Sequence, residues 1–97
     1  IAIGDETNVQ DLTVVHVDAG CPALIGRRVT IGHRAVIHGC SVDDDAVIGM
    51  GAVLLSGSRV GRGALVAAGA VLREGFAVPP GAIAAGGPAV IRGEVGP

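Results

Sequence analysis

Residues 42–78 read VDDDAVIGMGAVLLSGSRVGRGALVAAGAVLREGFAV. Amphipathic helices place apolar residues three and four positions apart, and ordinary strands alternate in twos. A period of six fits neither pattern and predicts short strands separated by tight corners, each strand turning one aliphatic residue inward. The residues that carry this period are branched aliphatics: Val42, Ile48, Leu54, Val60, Val66, Leu72 and Val78.

The series extends towards the N-terminus through Ile3, Val9, Val15, Ile25, Ile31 and Ile37, with one five-residue step before Val42. Three strands make one triangular coil, and coils stack through parallel hydrogen bonds about 4.8 Å apart. Equivalent residues should then recur about every 18 positions. Val42, Val60 and Val78 are therefore predicted to line one interior column, and residues 25–72 should contain no long helix.

Two stretches depart from the period. Ile3 and Ile25 are 22 positions apart, so the first coil carries additional residues, predicted as a loop at 18–23, where Gly20 and Pro22 break the pattern. Residues 79–97 lose the period and are predicted to form an irregular C-terminal tail. The chain, 1–97, is predicted to be a single all-β domain of about four to five coils.

Composition narrows the function classes. The net charge of −2, with no basic stripe, argues against nucleic-acid binding. No apolar run reaches about 18 residues, which argues against a membrane span. Cys21 and Cys40 lack a metal-type spacing and are expected to be reduced thiols of a cytoplasmic protein. The chain begins at Ile1 rather than Met, and we expect it to derive from a longer parent.

The three histidines of the chain point to a metal site. His16 follows Val15 and His38 follows Ile37, so the two occupy one column on successive coils, about 4.8 Å apart. His33 lies at the preceding corner, about 16 Å of extended backbone from His38. A histidine Cα lies only about 6 Å from a zinc ion that the side chain binds. In a three-fold trimer, His16 and His38 of one chain can face His33 of the next. The three histidines could then bind one ion although they lie far apart within one chain.

Three neutral imidazoles and a water form the open coordination of a catalytic zinc. Histidines at the corners of a solenoid can equally be solvated surface residues. Gln10 lies near the position of His33, one coil earlier, from where it could reach a shared water. Asn8 could be a turn-forming residue, which is a common role of asparagine beside a corner. Asp11 shares a column with His33 and could orient its imidazole or pair with an arginine.

The hexapeptide pattern resembles the left-handed parallel β-helix families, and the left-handed coil is implied by that resemblance. The segments around the histidines resemble the γ-class carbonic anhydrases and their short-loop relatives. These segments are Asn8-Val9-Gln10-Asp11, Val14-Val15-His16-Val17, Ile31-Gly32-His33-Arg34, Ile37-His38-Gly39-Cys40 and Ile48-Gly49-Met50-Gly51-Ala52-Val53.

This resemblance implies a homotrimer with zinc, or iron or cobalt, at each subunit interface, bound by His16 and His38 of one chain and His33 of its neighbour. It implies reversible hydration of carbon dioxide to bicarbonate by a metal-bound hydroxide. Gln10 would bond the metal-bound water, Asn8 would help to orient the site, and Asp11 would pair with an arginine.

The chain also departs from that family. The family's N-terminal coils, with their Arg-Gly-Asp segment, and its C-terminal helix have no counterpart here. The long acidic loop that supplies a proton-shuttle glutamate is missing too. Asp18 is the nearest carboxylate, and the favoured interpretation is that it is an ordinary loop residue. Hydration requires a proton to leave the site in each turnover, so turnover is expected to be slow or to depend on buffer.

Two other classes of protein are alternatives to the carbonic anhydrase-like hypothesis. Val78-Pro79-Pro80-Gly81 and Gly87-Pro88-Ala89-Val90-Ile91-Arg92 resemble the end of the helix in hexapeptide acyltransferases, where coenzyme A lies between coils of adjacent subunits. Those enzymes use one histidine as a general base, which leaves three clustered histidines unexplained. The third reading is a structural or scaffold subunit with a vestigial metal site.

Overall fold

The computed structural model describes residues 1–96 and shows a solenoid of about five turns, built from short parallel strands. The strands are β1 (Ala2–Ile3), β2 (Asn8–Val9), β3 (Val14–His16), β4 (Leu24–Ile25), β5 (Thr30–Ile31), β6 (Val36–His38), β7 (Ser41–Val42), β8 (Val47–Ile48), β9 (Val53–Leu54), β10 (Arg59–Val60), β11 (Leu65–Val66), β12 (Val71–Leu72), β13 (Ala77–Val78), β14 (Ala82–Ala85) and β15 (Val90–Glu94). The prediction of an all-β solenoid is confirmed.

Every third strand joins the same sheet, so the solenoid has three faces. Sheet A has the order β1-β4-β7-β10-β13, sheet B has β15-β14-β11-β8-β5-β2, and sheet C has β12-β9-β6-β3. We number the corners by the sheets that they join: the first connects sheets A and B, the second B and C, and the third C and A. Among the described residues there is no helix, and hence none that is long and apolar enough to cross a membrane.

The interior column predicted from the spacing is confirmed. Val60 pairs with Val42 on one side and with Val78 on the other, and all three side chains are buried. The core is filled by branched aliphatic residues on the three faces and by small residues, mostly alanine, at the corners. The small corner residues with no exposed surface include Ala35, Ala46, Ala52, Ala64 and Ala70.

The additional residues of the first coil lie in the segment 18–23, between β3 and β4. Asp18 and Cys21 exchange two backbone hydrogen bonds, of 3.1 and 2.9 Å, which close the segment into a narrow turn. Gly20 has a φ of 72° at that turn, a conformation that glycine adopts without steric cost. The segment therefore leaves the coil and returns to it at one corner.

The predicted irregular tail at 79–97 was wrong for most of its length. β14 pairs in parallel with β11, and β15 turns back and pairs with β14 in the antiparallel direction. The physical reason is that the last coil exposes a strand edge with unpaired backbone groups, and β15 covers the edge of sheet B. Pro79-Pro80-Gly81 forms a corner instead of ending the fold, and Pro97 lies outside the described residues.

Glycine follows several inward residues because adjacent coils approach very closely there. A Cβ atom added to Gly49 would lie 2.4 Å from the backbone nitrogen of Ala68 on the next coil. A backbone atom cannot move aside as a flexible side chain would. At Gly63, by contrast, an added Cβ meets nothing within 4 Å, and the φ of 67° is the only obstacle to a side chain.

We expect Gly49→Ala to lower the free energy of unfolding by about 3 kcal/mol, because the methyl group pushes two coils apart. Gly63→Ala, the matched control, should cost about 1 kcal/mol, the penalty for an alanine in the left-handed region. Urea denaturation of both variants measures the difference. Equal losses would contradict the close approach of the coils at Gly49.

Candidate metal centre

His16 and His38 lie side by side at the ends of two paired strands. β3 and β6 are parallel and in register, so that His16 pairs with His38. The centroids of the two imidazole rings are 5.4 Å apart, and the ring planes are inclined at 47°. His16 is exposed and His38 is half-buried. The single column predicted for these two histidines is confirmed by their register.

His33 lies at the second corner, after β5, and its side chain is exposed. Its backbone is held by the coils on both sides: Gly51 N–H donates to the carbonyl of His33, and Arg34 N–H donates to that of Asp11. The described residues, 1–96, contain no group of three or more His, Cys, Asp or Glu side chains that could hold a metal ion within one chain. The fold thus joins His16 to His38 and keeps His33 apart from them.

The other candidate residues group with His33. Asn8 pairs with Thr30 in sheet B and is exposed, so it lies within a strand and not in a turn. Gln10 follows β2 directly, donates its backbone N–H to the carbonyl of Ile31 and is half-buried. Asp11 lies one coil before His33, as the column count predicted. Asn8, Gln10, Asp11 and His33 form what we call the second-corner set.

Asp18 lies near the histidine pair, and its carboxylate accepts two hydrogen bonds. The hydroxyl of Ser56 donates to Asp18 Oδ2 at 2.9 Å, and the backbone N–H of Ala19 donates to Oδ1 at 2.9 Å. The Ser56 hydroxyl is the main cause that lowers the pKa of Asp18, followed by the Ala19 N–H and the positive charges of His38 and His16. We call His16, His38, Asp18 and Ser56 the third-corner set.

The role of Ser56 was not found by sequence reasoning. The repeat count places Ser56 at the third corner of the third coil, but its contact with Asp18 depends on the path of the loop 18–23. Spacing does not supply that path.

Within residues 1–96, neither cysteine belongs to a group of three or more His, Cys, Asp or Glu side chains that could hold a metal ion. Burial raises the pKa of Cys40 to about 11, so this thiol stays protonated at neutral pH and serves as a core residue. Cys21 is half-buried in the loop, and both cysteines are free. The chemistry of the third corner is therefore that of two imidazoles and one carboxylate.

Residues 22–55 and 39–74 match the bacterial transferase hexapeptide family with its six repeats. The two matches together cover more than half of the chain. The chain belongs to the bacterial transferase hexapeptide family. Membership accounts for the repeat, while the members differ in their chemistry.

Curated relatives of this chain include proteins with carbonic anhydrase names. The chain is 56% identical over 63 residues to the mitochondrial gamma carbonic anhydrase 2 of Arabidopsis thaliana, which covers 59% of this chain and 23% of that protein. It is 50% identical over 54 residues to a protein of Methanocaldococcus jannaschii named probable carbonic anhydrase, covering 56% of this chain and 34% of that protein. The matched part thus spans about a third or less of each relative.

Among solved structures, a candidate acetyltransferase from Bacillus cereus is similar over nearly the whole chain. The TM-score is 0.96 and the sequence identity 38%, over 97% of this chain and 55% of that one. Relatives that share the hexapeptide fold with this chain therefore carry two different enzyme names. The fold does not distinguish the two activities, so the distinction depends on the side chains at the corners.

We expect Ser56→Ala to raise the pKa of Asp18 towards its ordinary value, because the strongest hydrogen bond to the ionised carboxylate is lost. Ser41→Ala, in sheet A, makes the same chemical change without touching Asp18 and should leave this pKa alone. An NMR titration of the Asp18 carboxyl carbon in both variants measures the effect. An unchanged pKa in Ser56→Ala would show that the Ser56–Asp18 hydrogen bond does not form in solution.

Proposed function

We propose that this chain forms a homotrimer that binds a divalent metal ion, zinc before iron or cobalt, between neighbouring chains and catalyses the reversible hydration of carbon dioxide. The observation that carries the proposal is the division of the candidate residues into two sets. One corner presents paired imidazoles and another presents His33 with Gln10. Each set is incomplete alone, and the two complement each other when one chain faces the next.

The histidine pair fits a zinc ion. Imidazole nitrogens bind zinc at 2.0–2.1 Å in a tetrahedral arrangement, which places the centroids of two bound rings about 5 Å apart. The 5.4 Å between the ring centroids of His16 and His38 is close to this value. The ligand type and the spacing both support a metal here.

Apolar side chains flank both sets of residues and support the assembly of identical chains. Leu12 and Met50, beside His33, are 78% and 60% exposed, and Val14 and Val17, beside His16, are 52% and 38% exposed. Exposed apolar groups around a polar centre are typical of a surface that another protein covers. Burying both groups in one contact would bring His33 of one chain towards His16 and His38 of its neighbour.

When bound, zinc lowers the pKa of a coordinated water towards 7 and so supplies a nucleophile at neutral pH. His16 and His38 of one chain and His33 of its neighbour would hold the ion. Gln10, half-buried beside His33, can hydrogen-bond the reacting water and fix its orientation. Asn8 lies on the outer face of sheet B and would help to orient the second-corner set.

The Bacillus cereus structure favours acyl transfer as a second candidate function, because its fold matches over nearly the whole chain. Acyl transfer uses a histidine as a base and needs no metal. Chelation separates the two candidates: carbon dioxide hydration should disappear with the metal and return with zinc, whereas acyl transfer from acetyl-coenzyme A should persist.

Mixing two inactive variants tests the shared site. His33→Ala and His38→Ala each remove one ligand from every site of a homotrimer, so each should bind little zinc. In mixed trimers, an intact His16–His38 pair can face an intact His33, and part of the zinc content should return. Elemental analysis of trimers carrying two different affinity tags measures this recovery. Mixed trimers that contain no zinc would favour a site within one chain, or none.

Gln10→Ala tests the proposed contact with water. Losing a hydrogen bond to a charged group should cost roughly 1.5–3 kcal/mol, which lowers the rate of hydration about 10- to 150-fold. The zinc content should stay unchanged, because Gln10 is not a ligand. Stopped-flow hydration beside elemental analysis separates the two effects. An unchanged rate in the metal-loaded variant would mean that Gln10 only fills the corner.

A further inference from the structure

A cleft of about 220 Å³ opens beside His38 at the third corner. Its walls are formed by Asp18, His38, Leu55, Ser56 and Glu74. Glu74 follows β12 and lies one coil above Ser56, since Gly75 N–H donates to the carbonyl of Ser56 at 3.1 Å. The repeat thus places a second carboxylate, from the fourth coil, on the same cleft as the histidine that is proposed to bind zinc.

The two carboxylates of the cleft differ in their partners. Both carboxylate oxygens of Asp18 already accept hydrogen bonds from the protein, one from the Ser56 hydroxyl and one from the Ala19 N–H. Glu74 is exposed, and its carboxylate takes part in none of the side-chain hydrogen bonds or ion pairs formed within residues 1–96. The carboxylate of Glu74 is therefore open to water in the cleft as an acceptor, whereas the oxygens of Asp18 are already engaged.

Hydration of carbon dioxide requires such an acceptor. Each turnover joins one water to one carbon dioxide and yields one bicarbonate and one proton, which must leave before the next turnover. A water molecule occupies about 30 Å³ in the liquid, so the cleft has room for a hydrogen-bonded chain of several waters. Such a chain would let a carboxylate act without touching the reacting water.

We propose that Glu74 is the proton-transfer group of this site, an inference that rests on the proposed function. The proton from the reacting water passes through water in the cleft to the Glu74 carboxylate, which becomes a carboxylic acid. A buffer base then takes the proton and restores the carboxylate. The charged and titratable groups around it are Arg73, adjacent in the chain, and Asp18 and His38, on the cleft. The sequence alone predicted no such group, because Glu74 lies two coils away from His38.

The test compares Glu74→Gln with the wild-type trimer, both loaded with zinc. We expect the rate of hydration in weak buffer to fall about 100-fold, at the lower end of the range of general acid–base contributions. Added imidazole should restore most of it, because a small base can carry the proton directly. The interconversion of carbon dioxide and bicarbonate at equilibrium, followed by exchange of ¹⁸O, should stay at the wild-type rate. Glu94→Gln, the matched control on β15, should behave as wild type.

The outcomes separate this inference from the proposed function. If the wild type is active and Glu74→Gln responds to imidazole as the wild type does, the role of Glu74 is overturned and the proposed function stands. A loss that imidazole does not restore, with slower ¹⁸O exchange, also overturns it, because Glu74 would then act on the site itself. A zinc-loaded wild type that hydrates no carbon dioxide at any imidazole concentration overturns the proposed function and this inference with it.

Discussion

Parallel backbone hydrogen bonds between successive coils fix the positions of the three histidines in this protein. Each strand residue pairs with one residue of the next coil. The hydrogen bonds that align Val42 with Val60 and Val78 are therefore of the same kind as those that align His16 with His38. The imidazole pair therefore sits on a rigid backbone. Substitutions that separate the coils should disturb the histidines as well as the core.

Much of the fold could be predicted from the sequence, because one residue in six must be aliphatic and turned inward. That count located the valine column and the histidine pair. It failed for residues 82–94, since the period says nothing about how the last coil covers its open edge, and β15 does so by pairing in the antiparallel direction. The Ser56–Asp18 hydrogen bond was missed for a related reason: it depends on the path of a loop that interrupts the repeat.

The division of the candidate residues between two corners is the feature that most favours a shared site. The Asn8, Gln10, Asp11 and His33 set lies at the second corner, and the His16, His38, Asp18 and Ser56 set at the third. A solenoid with three flat faces cannot bring two of its own corners together, whereas neighbouring chains can. The third corner also carries a cleft that both His38 and Glu74 line.

The central claim is that one metal ion takes its ligands from two chains. A crystal structure of the zinc-loaded protein, with anomalous diffraction recorded at the zinc absorption edge, tests it most directly. We expect one zinc per chain, with imidazole nitrogens at 2.0–2.1 Å from His16 and His38 of one chain and His33 of its neighbour. Zinc bound by residues of a single chain, or zinc bound without His33, would contradict it.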